Sequence, residues 1–415
     1  MNLTLFPSQI KGTLNAPASK SVLIRAIAAA CLSEGETHIT GYSPSDDVSA
    51  AIRCGQSLCA IVEEKDNALF IQVKPFPWPS ATLHCGESGL CARLFSCIAA
   101  LGNAEMTIAA SGTLLKRPIK EISGVLTQAG VSVNDNNGFL PLKITGPLQA
   151  SSLKTDGSGS SQHLSGLLMT LPLLNRNSEI VVENLKSKPY IDLTLDVMKE
   201  FGVNVTHENY SHFNIEGNQK YTAAKFHAEG DWSATAFLLV AGAIAGEVTV
   251  KNISLRSFQA DKKIVEALQM AGAAVKANDD KISVSKTALK SFSFDATDCP
   301  DLFPPLLALA ACCEGVSEIK GVDRLFNKES NRAVSLSEVL LKLGVPIEQK
   351  ENSFFVTGSV LKGNTSISSH HDHRVAMMAA VLSLRTDGPV LIENAECVEK
   401  SWPAFWDDLI GLQAE

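Results

Sequence analysis

Eight cationic side chains stand at or near the predicted starts of helices, and they are the residues of this sequence most suited to bind a ligand. A helix N-terminus already offers unpaired N–H groups and a partial positive charge, so further cations there are unfavourable unless an anion binds. The pattern therefore predicts sites for anionic ligands. For the first stretch alone, ASKSVLIR, a capped core helix with two solvated cations is an alternative. The eight residues are Lys20, Arg25, Arg93, Arg117, Lys328, Arg332, Arg374 and Lys400.

The composition argues against several classes of partner. The chain of 415 residues has a formal net charge of -8, whereas proteins that bind nucleic acid or acidic membranes need an excess of surface cations. No apolar run reaches the ~18 residues that a membrane span needs, and residues 234–245 come nearest. The first residues lack the basic and then apolar pattern of a signal peptide. We therefore expect a cytoplasmic protein with no nucleic-acid or membrane partner.

The ten cysteines are predicted to be reduced core thiols. No pair has the C-x-x-C spacing of a redox or zinc motif, and a cytoplasmic setting disfavours disulfides. The alternative is that one or more of them have a redox or metal-binding role. Five lie within apolar helical runs: Cys31, Cys91, Cys97, Cys312 and Cys313.

The chain repeats one pattern six times. Short segments that alternate apolar and polar residues, as half-buried strands do, recur about 70 residues apart, each after a long apolar helical run. A unit of this size is too small to bury its own faces well, so the units must pack together. The segments begin at Gly35, Ala104, Ser178, Gly246, Gly315 and Gly388.

A second predicted helix follows each of these strands, and a glycine ends four of these helices and leads into the next strand. The first repeat lacks that glycine around residues 58–62, so we interpret it as degenerate. Each repeat is thus a helix, a strand, a helix and two or three further strands. The four glycines are Gly130, Gly202, Gly272 and Gly344.

Six repeats suggest two domains of three. The sixth repeat stops after its second helix, and the opening strands at residues 3–6 and 10–14 could supply what it lacks. We predict one domain at 19–228 and a second made of 1–18 plus 229–415, with a hinge near 18 and 229. The cations of both domains would meet only if the domains close over a shared cleft around anionic ligands.

Several motifs resemble those of the EPSP synthases, the 3-phosphoshikimate 1-carboxyvinyltransferases, and the resemblance spans essentially the whole chain. The motifs are SKSVLIR, SSQ, SKPYID, KRP, CPD, KESNR and DHR. The resemblance implies an α/β fold, a two-domain inside-out α/β barrel. Each domain would hold three βαβαββ-like repeats, with helices inside and sheets outside.

The resemblance also implies the reaction. The family transfers the enolpyruvyl group of phosphoenolpyruvate to the 5-hydroxyl of shikimate 3-phosphate by addition and elimination, and releases phosphate in the shikimate pathway of aromatic amino-acid biosynthesis. It implies no metal and no cofactor, and we expect a monomer. Two phosphates and two carboxylates bring roughly five to six negative charges, which suits eight cations better than a single phosphate would.

Site residues follow from the motifs by resemblance. In catalysis, Asp301 would take the proton of the attacking hydroxyl, and Glu329 or Lys20 would protonate the methylene carbon. The residues expected to bind shikimate 3-phosphate are Lys20, Ser21, Arg25, Ser160, Ser161, Gln162, Ser187, Tyr190, Asp301 and Lys328. The residues expected to bind phosphoenolpyruvate are Lys20, Gly89, Arg117, Gln162, Arg332, Arg374 and Lys400.

The sequence departs from the family pattern in two loops. Glu87 and Leu90 replace the usual asparagine and threonine of the glycine-rich loop, where Glu87 could weaken phosphoenolpyruvate binding or pair with Arg93. Arg324 stands where an asparagine is common, and Phe326 and Asn331 interrupt the usual pattern around Lys328. We do not transfer that asparagine's role.

Three other interpretations remain. A UDP-N-acetylglucosamine enolpyruvyl transferase shares the fold, but residues 111–118 lack the cysteine which that family usually has there. A non-catalytic anion-binding relative would keep the fold without turnover. A metal site in His370-His371-Asp372-His373 is the third, although the spacing of these residues is not that of a regular ligand set.

Overall fold

The computed structural model describes residues 1–73, 77–149 and 152–413. The chain divides into two compact units. We call Ala18–Ala228 the continuous unit, and Met1–Pro17 together with Glu229–Glu415 the split unit. The chain passes between units at Pro17/Ala18, one residue before the predicted position, and at Ala228/Glu229. Among the helices of the described residues, none has the length and apolarity to cross a membrane.

The described residues form helices and short 3₁₀ turns. The helices are α1 Lys20–Leu32, α2 Asp46–Ser57, α3 Gly89–Ala99, α4 Lys120–Gln128, α5 Gln162–Thr170, α6 Pro189–Glu200, α7 Trp232–Ala245, α8 Ile264–Met270, α9 Phe303–Ala311, α10 Arg332–Lys342, α11 His373–Ser383 and α12 Phe405–Gly411. The 3₁₀ turns are Gly112–Lys116, Leu171–Leu173, Ala260–Lys263, Pro300–Leu302, Val322–Arg324 and Ala395–Lys400.

Strands follow the helices in a recurring order. They are β1 Asn2–Leu5, β2 Ile10–Asn15, β3 Ser33–Glu34, β4 Glu36–Thr40, β5 Ala60–Lys65, β6 Ala68–Val73, β7 Ala81–His84, β8 Glu105–Ala109, β9 Ser132–Asn136, β10 Phe139–Thr145, β11 Ser152–Asp156, β12 Ser178–Glu183, β13 Thr206–Glu208, β14 His212–Ile215, β15 Tyr221–Thr222, β16 Lys225–His227, β17 Gly246–Lys251, β18 Ala274–Ala277, β19 Lys281–Ser285, β20 Ser293–Asp295, β21 Val316–Lys320, β22 Ile347–Lys350, β23 Ser353–Thr357, β24 Thr365–Ser368 and β25 Val390–Glu393.

Three four-stranded sheets of one topology occur in the continuous unit. Their strand orders are β16-β4-β6-β5, β7-β8-β10-β9 and β11-β12-β14-β13. In each sheet the first two strands are parallel and the other neighbours are antiparallel. The first sheet takes its parallel edge strand, β16, from the far end of the unit, so the chain closes the unit on itself.

The split unit has sheets of the same kind, and the N-terminal strands belong to two of them. The strand orders are β2-β17-β19-β18, β20-β21-β23-β22 and β1-β25-β24. β2 pairs in parallel with β17, while β1 pairs antiparallel with β25. The opening strands therefore complete the sheets of both the fourth and the sixth repeat.

Helices form the inside of each unit and sheets the outside. The first helices of the repeats are largely buried, and each residue of α7 is buried, which is typical of a helix surrounded by protein. In the continuous unit α1 and α5 both pack on α3, and in the split unit α7, α9 and α11 pack on one another. Strands such as β10 alternate buried and exposed residues, so that one sheet face is solvated.

The first repeat is not degenerate, which corrects the interpretation from sequence. It has both helices and both closing strands, and Cys59 stands where four of the other repeats have glycine. Cys59 adopts φ +64°, close to the +80° of Gly130. The left-handed conformation that ends the helix is therefore kept without a glycine, at a conformational cost of about 1 kcal/mol.

Three of the eight cations predicted at or near helix starts lie before the helix instead of within it. Arg117, Lys328 and Lys400 precede α4, α10 and α12 instead of standing in their first turns. This places their charges outside the helices whose dipoles would oppose them. Lys20 and Arg332, in contrast, are the first residues of α1 and α10.

Candidate active site

Arg332 lies at the centre of a charged cluster in the split unit. It is the first residue of α10 and is only 1% exposed. Its Nη1 donates to Asp301 Oδ1 at 2.8 Å, and its Nη2 donates to Glu329 Oε2 at 2.8 Å. Its Nε and Nη2 also donate to the two oxygens of Asp372, at 2.8 and 3.1 Å. One buried guanidinium therefore holds three carboxylates in fixed positions.

Asp372 is fully buried and supports this cluster from the start of α11. Its side chain caps the helix by accepting the backbone N–H of Arg374 at 3.0 Å. The hydroxyl of Ser330 also donates to Asp372 Oδ2, at 3.1 Å. A single carboxylate thus fixes Arg332 and at the same time fixes the helix that carries Arg374.

Two further cations face Asp301, which lies in the 3₁₀ turn Pro300–Leu302 just before α9. Arg374 Nη2 is 3.2 Å from Asp301 Oδ2, and Lys328 Nζ is 3.7 Å from Asp301 Oδ1. Together with Arg332, three positive charges surround one carboxylate that is 25% exposed. Such an arrangement can hold a carboxylate next to a bound anion.

These charges set the protonation states of the cluster. Burial acts to raise the pKa of Asp301, but Arg374, Lys328 and Arg332 hold that pKa well below its usual range. Burial lowers the pKa of Lys328 to about 8. Burial also opposes the charge of Arg332, yet Asp372, Glu329 and Asp301 raise its pKa above the ordinary value. At neutral pH, Asp301 is therefore ionised.

Lys400 is buried as well. It ends the 3₁₀ turn Ala395–Lys400, which packs against α11, the helix that begins with His373 and Arg374.

In the histidine-rich segment at the start of α11, His370 and Asp372 contact other side chains and do not converge on a shared ion position. His370 Nε2 is 2.9 Å from Glu338 Oε2. Both oxygens of Asp372 accept hydrogen bonds from Arg332. This geometry favours a structural role for the segment over the metal site considered from sequence.

A second group of predicted site residues surrounds Arg25 in the continuous unit. Arg25 is 1% exposed. Its Nε donates to Thr194 Oγ1 at 2.8 Å, its Nη1 to the carbonyl of Ser21 at 2.9 Å, and its Nη2 to the carbonyl of Tyr190 at 3.3 Å. All three acceptors are neutral. Burial lowers the pKa of Arg25 to about 10, so the side chain is still a cation at neutral pH.

A chain of hydroxyl groups links this arginine to the SSQ motif. Thr194 Oγ1 is 2.8 Å from Ser165 Oγ, which donates to the carbonyl of Ser161 at 3.3 Å. The side chain of Ser160 accepts the backbone N–H of Gln162 at 3.1 Å. Gln162 Oε1 is buried without a hydrogen-bond partner among the described residues. Because buried polar atoms are normally paired, this oxygen is suited to accept a hydrogen bond from a bound ligand.

Ser187 and Tyr190 stand at the start of α6, close to Arg25. Ser187 is buried and has φ +59°, and its carbonyl accepts the backbone N–H of Tyr190 at 3.1 Å. A serine in the left-handed conformation is strained, and such strain often occurs at binding sites. Three of the predicted residues, Arg25, Ser21 and Tyr190, thus come together.

Lys20, at the first position of α1, forms an ion pair with α2. Its Nζ is 3.1 Å from Asp47 Oδ2, and both side chains are largely buried. Ser45 caps α2 by accepting the N–H of Val48. Asp47 therefore holds the ammonium group of Lys20 at the helix start.

Gly89 permits two guanidinium groups to approach the backbone at the start of α3. A Cβ atom at this position would lie 3.0 Å from Arg117 Nη1 and 3.1 Å from Arg93 Nη1. Arg93 donates to the carbonyls of Gly89 and Pro118, both at 3.1 Å. A side chain at position 89 would displace these guanidinium groups by a few tenths of an ångström, so the glycine lets them lie close to the backbone.

Glu87 turns toward the neighbouring 3₁₀ turn Gly112–Lys116. Its Oε2 accepts the N–H of Thr113 at 3.2 Å and the hydroxyl of Thr113 at 2.7 Å. The carboxylate that replaces the family's asparagine therefore joins the two loops that carry Gly89 and Arg117.

Sequence reasoning missed three residues that position the site. Asp372 stands in the DHR motif and Asp47 at a helix start, but helix capping explained both without further function. Thr194 lies in the middle of α6, and nothing in its spacing pointed to Arg25.

Comparison with known proteins agrees with these motifs. The sequence model of one family, described as EPSP synthase (3-phosphoshikimate 1-carboxyvinyltransferase), matches residues 6–409. The chain belongs to the EPSP synthase family. Relatives named 3-phosphoshikimate 1-carboxyvinyltransferase include that of Clostridium beijerinckii, which is 36% identical over 424 residues, 99% of this chain and 97% of the relative. The one from Clostridioides difficile is 35% identical over 420 residues, 98% of this chain and 96% of the relative.

A solved structure shows the same fold. The EPSP synthase of Acinetobacter baumannii superposes with a TM-score of 0.84 at 25% sequence identity and covers 99% of this chain and 98% of its own. The two-domain inside-out α/β architecture expected from sequence is therefore confirmed, and the chain is an EPSP synthase family member along its whole described length.

Proposed function

We propose that this chain transfers the enolpyruvyl group of phosphoenolpyruvate to the 5-hydroxyl of shikimate 3-phosphate and releases phosphate, as a step of aromatic amino-acid biosynthesis. Membership of the EPSP synthase family and relatives of this name at 35–36% identity support the proposal. The observation that carries it is the Asp301 carboxylate held among Lys328, Arg332 and Arg374. This arrangement offers a base beside cations that can bind phosphate and carboxylate groups.

Asp301 is the proposed general base. With three cations turned toward it, Asp301 has a low pKa and is a weak base. The anionic groups of phosphoenolpyruvate compete with Asp301 for the same cations, and each cation that turns to the substrate lets the pKa of Asp301 rise. Substrate binding thus activates the base at the moment when the hydroxyl is in place.

Protonation of the methylene carbon falls to Glu329 or Lys20 in this proposal. Glu329 is held by Arg332 at 2.8 Å, and Lys20 lies 3.1 Å from Asp47. The cations around Asp301 would also stabilise negative charge that develops in the tetrahedral intermediate.

Substrate binding is divided between the two groups of residues. The shikimate 3-phosphate ligands are Lys20, Ser21, Arg25, Ser160, Ser161, Gln162, Ser187, Tyr190, Asp301 and Lys328. The phosphoenolpyruvate ligands are Lys20, Gly89, Arg117, Gln162, Arg332, Arg374 and Lys400. The support concerns shikimate 3-phosphate: Arg25 is a buried cation with neutral hydrogen-bond partners, and Gln162 Oε1 can accept a hydrogen bond from a substrate hydroxyl.

The two chain passages near residues 18 and 229 act as a hinge in this proposal, and the enzyme works as a monomer in the cytoplasm. Addition and elimination move protons, transfer the enolpyruvyl group and expel phosphate without a change of oxidation state, so the proposed reaction requires no redox cofactor.

Phosphate release tests the proposed function. The purified full-length chain is mixed with phosphoenolpyruvate and either shikimate 3-phosphate or UDP-N-acetylglucosamine, and inorganic phosphate is measured over time. We expect release with shikimate 3-phosphate only, and none when either substrate is omitted. Release with the UDP-sugar alone would support the related transferase, and no release with either acceptor would support a non-catalytic anion-binding protein.

A further inference from the structure

Three cysteines of the continuous unit bring their sulfur atoms together in the protein interior. Cys54, Cys85 and Cys91 are each fully buried. Cys54 Sγ lies 3.7 Å from Cys85 Sγ and 3.6 Å from Cys91 Sγ, and all three sulfur atoms lie within 4.8 Å of one another. Within the described part of the chain this is the one group of His, Cys, Asp and Glu side chains whose ligand atoms approach closely enough to share an ion.

The three cysteines come from different helices and strands, so no local sequence motif predicts that they lie together. Cys54 lies in the last turn of α2, Cys85 directly follows β7, and Cys91 lies in the first turn of α3. Cys54 precedes Cys85 by 31 residues and Cys91 by 37. The fold, not local spacing, assembles the group.

The distances fit metal ligation. Metal–sulfur bonds of about 2.3 Å separate the sulfur ligands of a tetrahedral or trigonal ion by about 3.8 to 4.0 Å. The two Sγ–Sγ distances around Cys54 are within a few tenths of an ångström of that separation. We propose that Cys54, Cys85 and Cys91 form a binding site for one thiophilic metal ion, with Cu⁺ as the preferred ion.

The ligand set decides between ions. Soft thiolate ligands select Cu⁺, Zn²⁺ and iron–sulfur clusters. Structural Zn²⁺ is almost always held by four ligands, but no histidine, aspartate or glutamate among the described residues joins the three sulfur atoms. The site is also closed to water, since each thiol is fully buried. Three sulfur ligands in a dry pocket suit Cu⁺, which is softer and accepts three-fold coordination.

Metal ions bind cysteine as the thiolate, so an incoming ion must displace protons from these thiols. Hydrogen bonds from Cys54 and Cys91, and the nearby charge of Arg53, lower the pKa of Cys85 to about 5 against the effect of burial. The hydrogen bond to Cys85 raises the pKa of Cys54, and burial raises that of Cys91.

The site is distinct from the residues assigned to the substrates and does not depend on the proposed reaction. Cys85 and Cys91 flank the loop of residues 86–88 that leads into Gly89, and Gly86 in that loop has φ +55°. A bound ion would tie α2 to both ends of this loop. Because the thiols are enclosed, loading requires the loop to open briefly.

Competition for Cu⁺ tests the site. The reduced full-length protein is titrated anaerobically with Cu⁺ against a chromophoric Cu⁺ chelator of known affinity, and Zn²⁺ is measured in parallel. We expect one Cu⁺ per chain and a Tm that rises with Cu⁺. Each of Cys54→Ala, Cys85→Ala and Cys91→Ala should weaken binding by at least about 100-fold, since even changes behind a ligand typically cost 10- to 100-fold.

The matched control is Cys97→Ala, which removes another fully buried thiol from α3, outside the group. It should bind Cu⁺ as the wild type does. A second measurement needs no variant: X-ray absorption at the copper edge of the loaded wild type should show three sulfur neighbours. No Cu⁺ bound by the wild type, or equal affinity in Cys85→Ala and Cys97→Ala, would overturn the site, and tighter binding of Zn²⁺ than of Cu⁺ would overturn the choice of ion.

Discussion

Arg25 and Arg332 are equally hidden from solvent, but their partners are of opposite kinds. Arg332, in the split unit, donates to Asp301, Glu329 and Asp372, and these carboxylates raise its pKa despite burial. Arg25, in the continuous unit, donates to a hydroxyl and two carbonyl groups, and burial lowers its pKa to about 10. A buried cation without a protein counterion is costly. Among the described residues the hydrogen-bond acceptors of Arg25 are all neutral, and we propose that its counterion is a bound ligand, whereas the charges of the cluster around Arg332 balance one another.

Asp301→Asn gives the largest expected effect, because it removes the proposed base while leaving a side chain of the same shape. We expect kcat to fall about 1,000-fold, within the range that general-base catalysis contributes. Stopped-flow phosphate release measures it. Asp295→Asn, an exposed aspartate six residues away, should keep wild-type turnover. Near-normal kcat for Asp301→Asn would remove Asp301 from the mechanism.

Arg332→Met tests the balanced cluster. Three carboxylates would lose their shared partner, and breaking a buried ion pair destabilises a protein by about 3–5 kcal/mol. Urea unfolding followed by tryptophan fluorescence should show a loss of about 3 kcal/mol in the free energy of unfolding. Arg385→Met, at an exposed position of the same unit, is the control. A loss no larger than that of the control would contradict the central place of Arg332.

Lys328→Arg tests the charge facing Asp301. Burial lowers the pKa of Lys328 to about 8, so the side chain is charged below pH 8 and loses its proton as the pH rises above it. We expect kcat/KM of the wild type to fall about tenfold per pH unit above 8, because kcat/KM reports the protonation state of the substrate-free enzyme. In Lys328→Arg the guanidinium stays charged, so the fall of kcat/KM at alkaline pH should begin more than one pH unit higher. Lys342→Arg, at an exposed lysine, should leave this fall where it is.

Arg25→Met should have the smallest effect on stability. The methionine removes a buried charge whose partners are neutral, and Thr194 keeps hydrogen bonds to Ser165 and Tyr190. We expect the free energy of unfolding to stay within about 1 kcal/mol of the wild type or to increase. Arg176→Met, at an exposed position of the same unit, serves as the control. A decrease of several kcal/mol in the free energy of unfolding, as expected for Arg332→Met, would contradict the proposed difference between the two arginines.

The repeat pattern made most of the fold predictable. Alternation near Ser178 and Gly246 marked strands that the structure places at those residues, because burial of one face imposes that pattern. Cys59 escaped prediction because glycine is the usual signal for a left-handed helix end, and here a larger residue takes that conformation. The end of this helix is marked by the backbone conformation of Cys59 and not by its residue type.

The candidate site was predictable only in part, for a similar reason. Charged residues at helix starts identified Arg25 and Arg332, but their partners come from distant elements. Arg25 meets Thr194 across 169 residues, and Arg332 meets Asp372 across 40. Tertiary contacts of this kind leave no local spacing to recognise.

Calorimetric binding of shikimate 3-phosphate in the absence of phosphoenolpyruvate tests most directly whether Arg25 is a cation awaiting an external anion. Wild type, Arg25→Met and the exposed control Arg176→Met are compared at neutral pH. Loss of charge-assisted hydrogen bonds should weaken binding to Arg25→Met by about 100-fold, while Arg176→Met should bind as the wild type does. Equal affinity of wild type and Arg25→Met, with both proteins folded, would contradict the account.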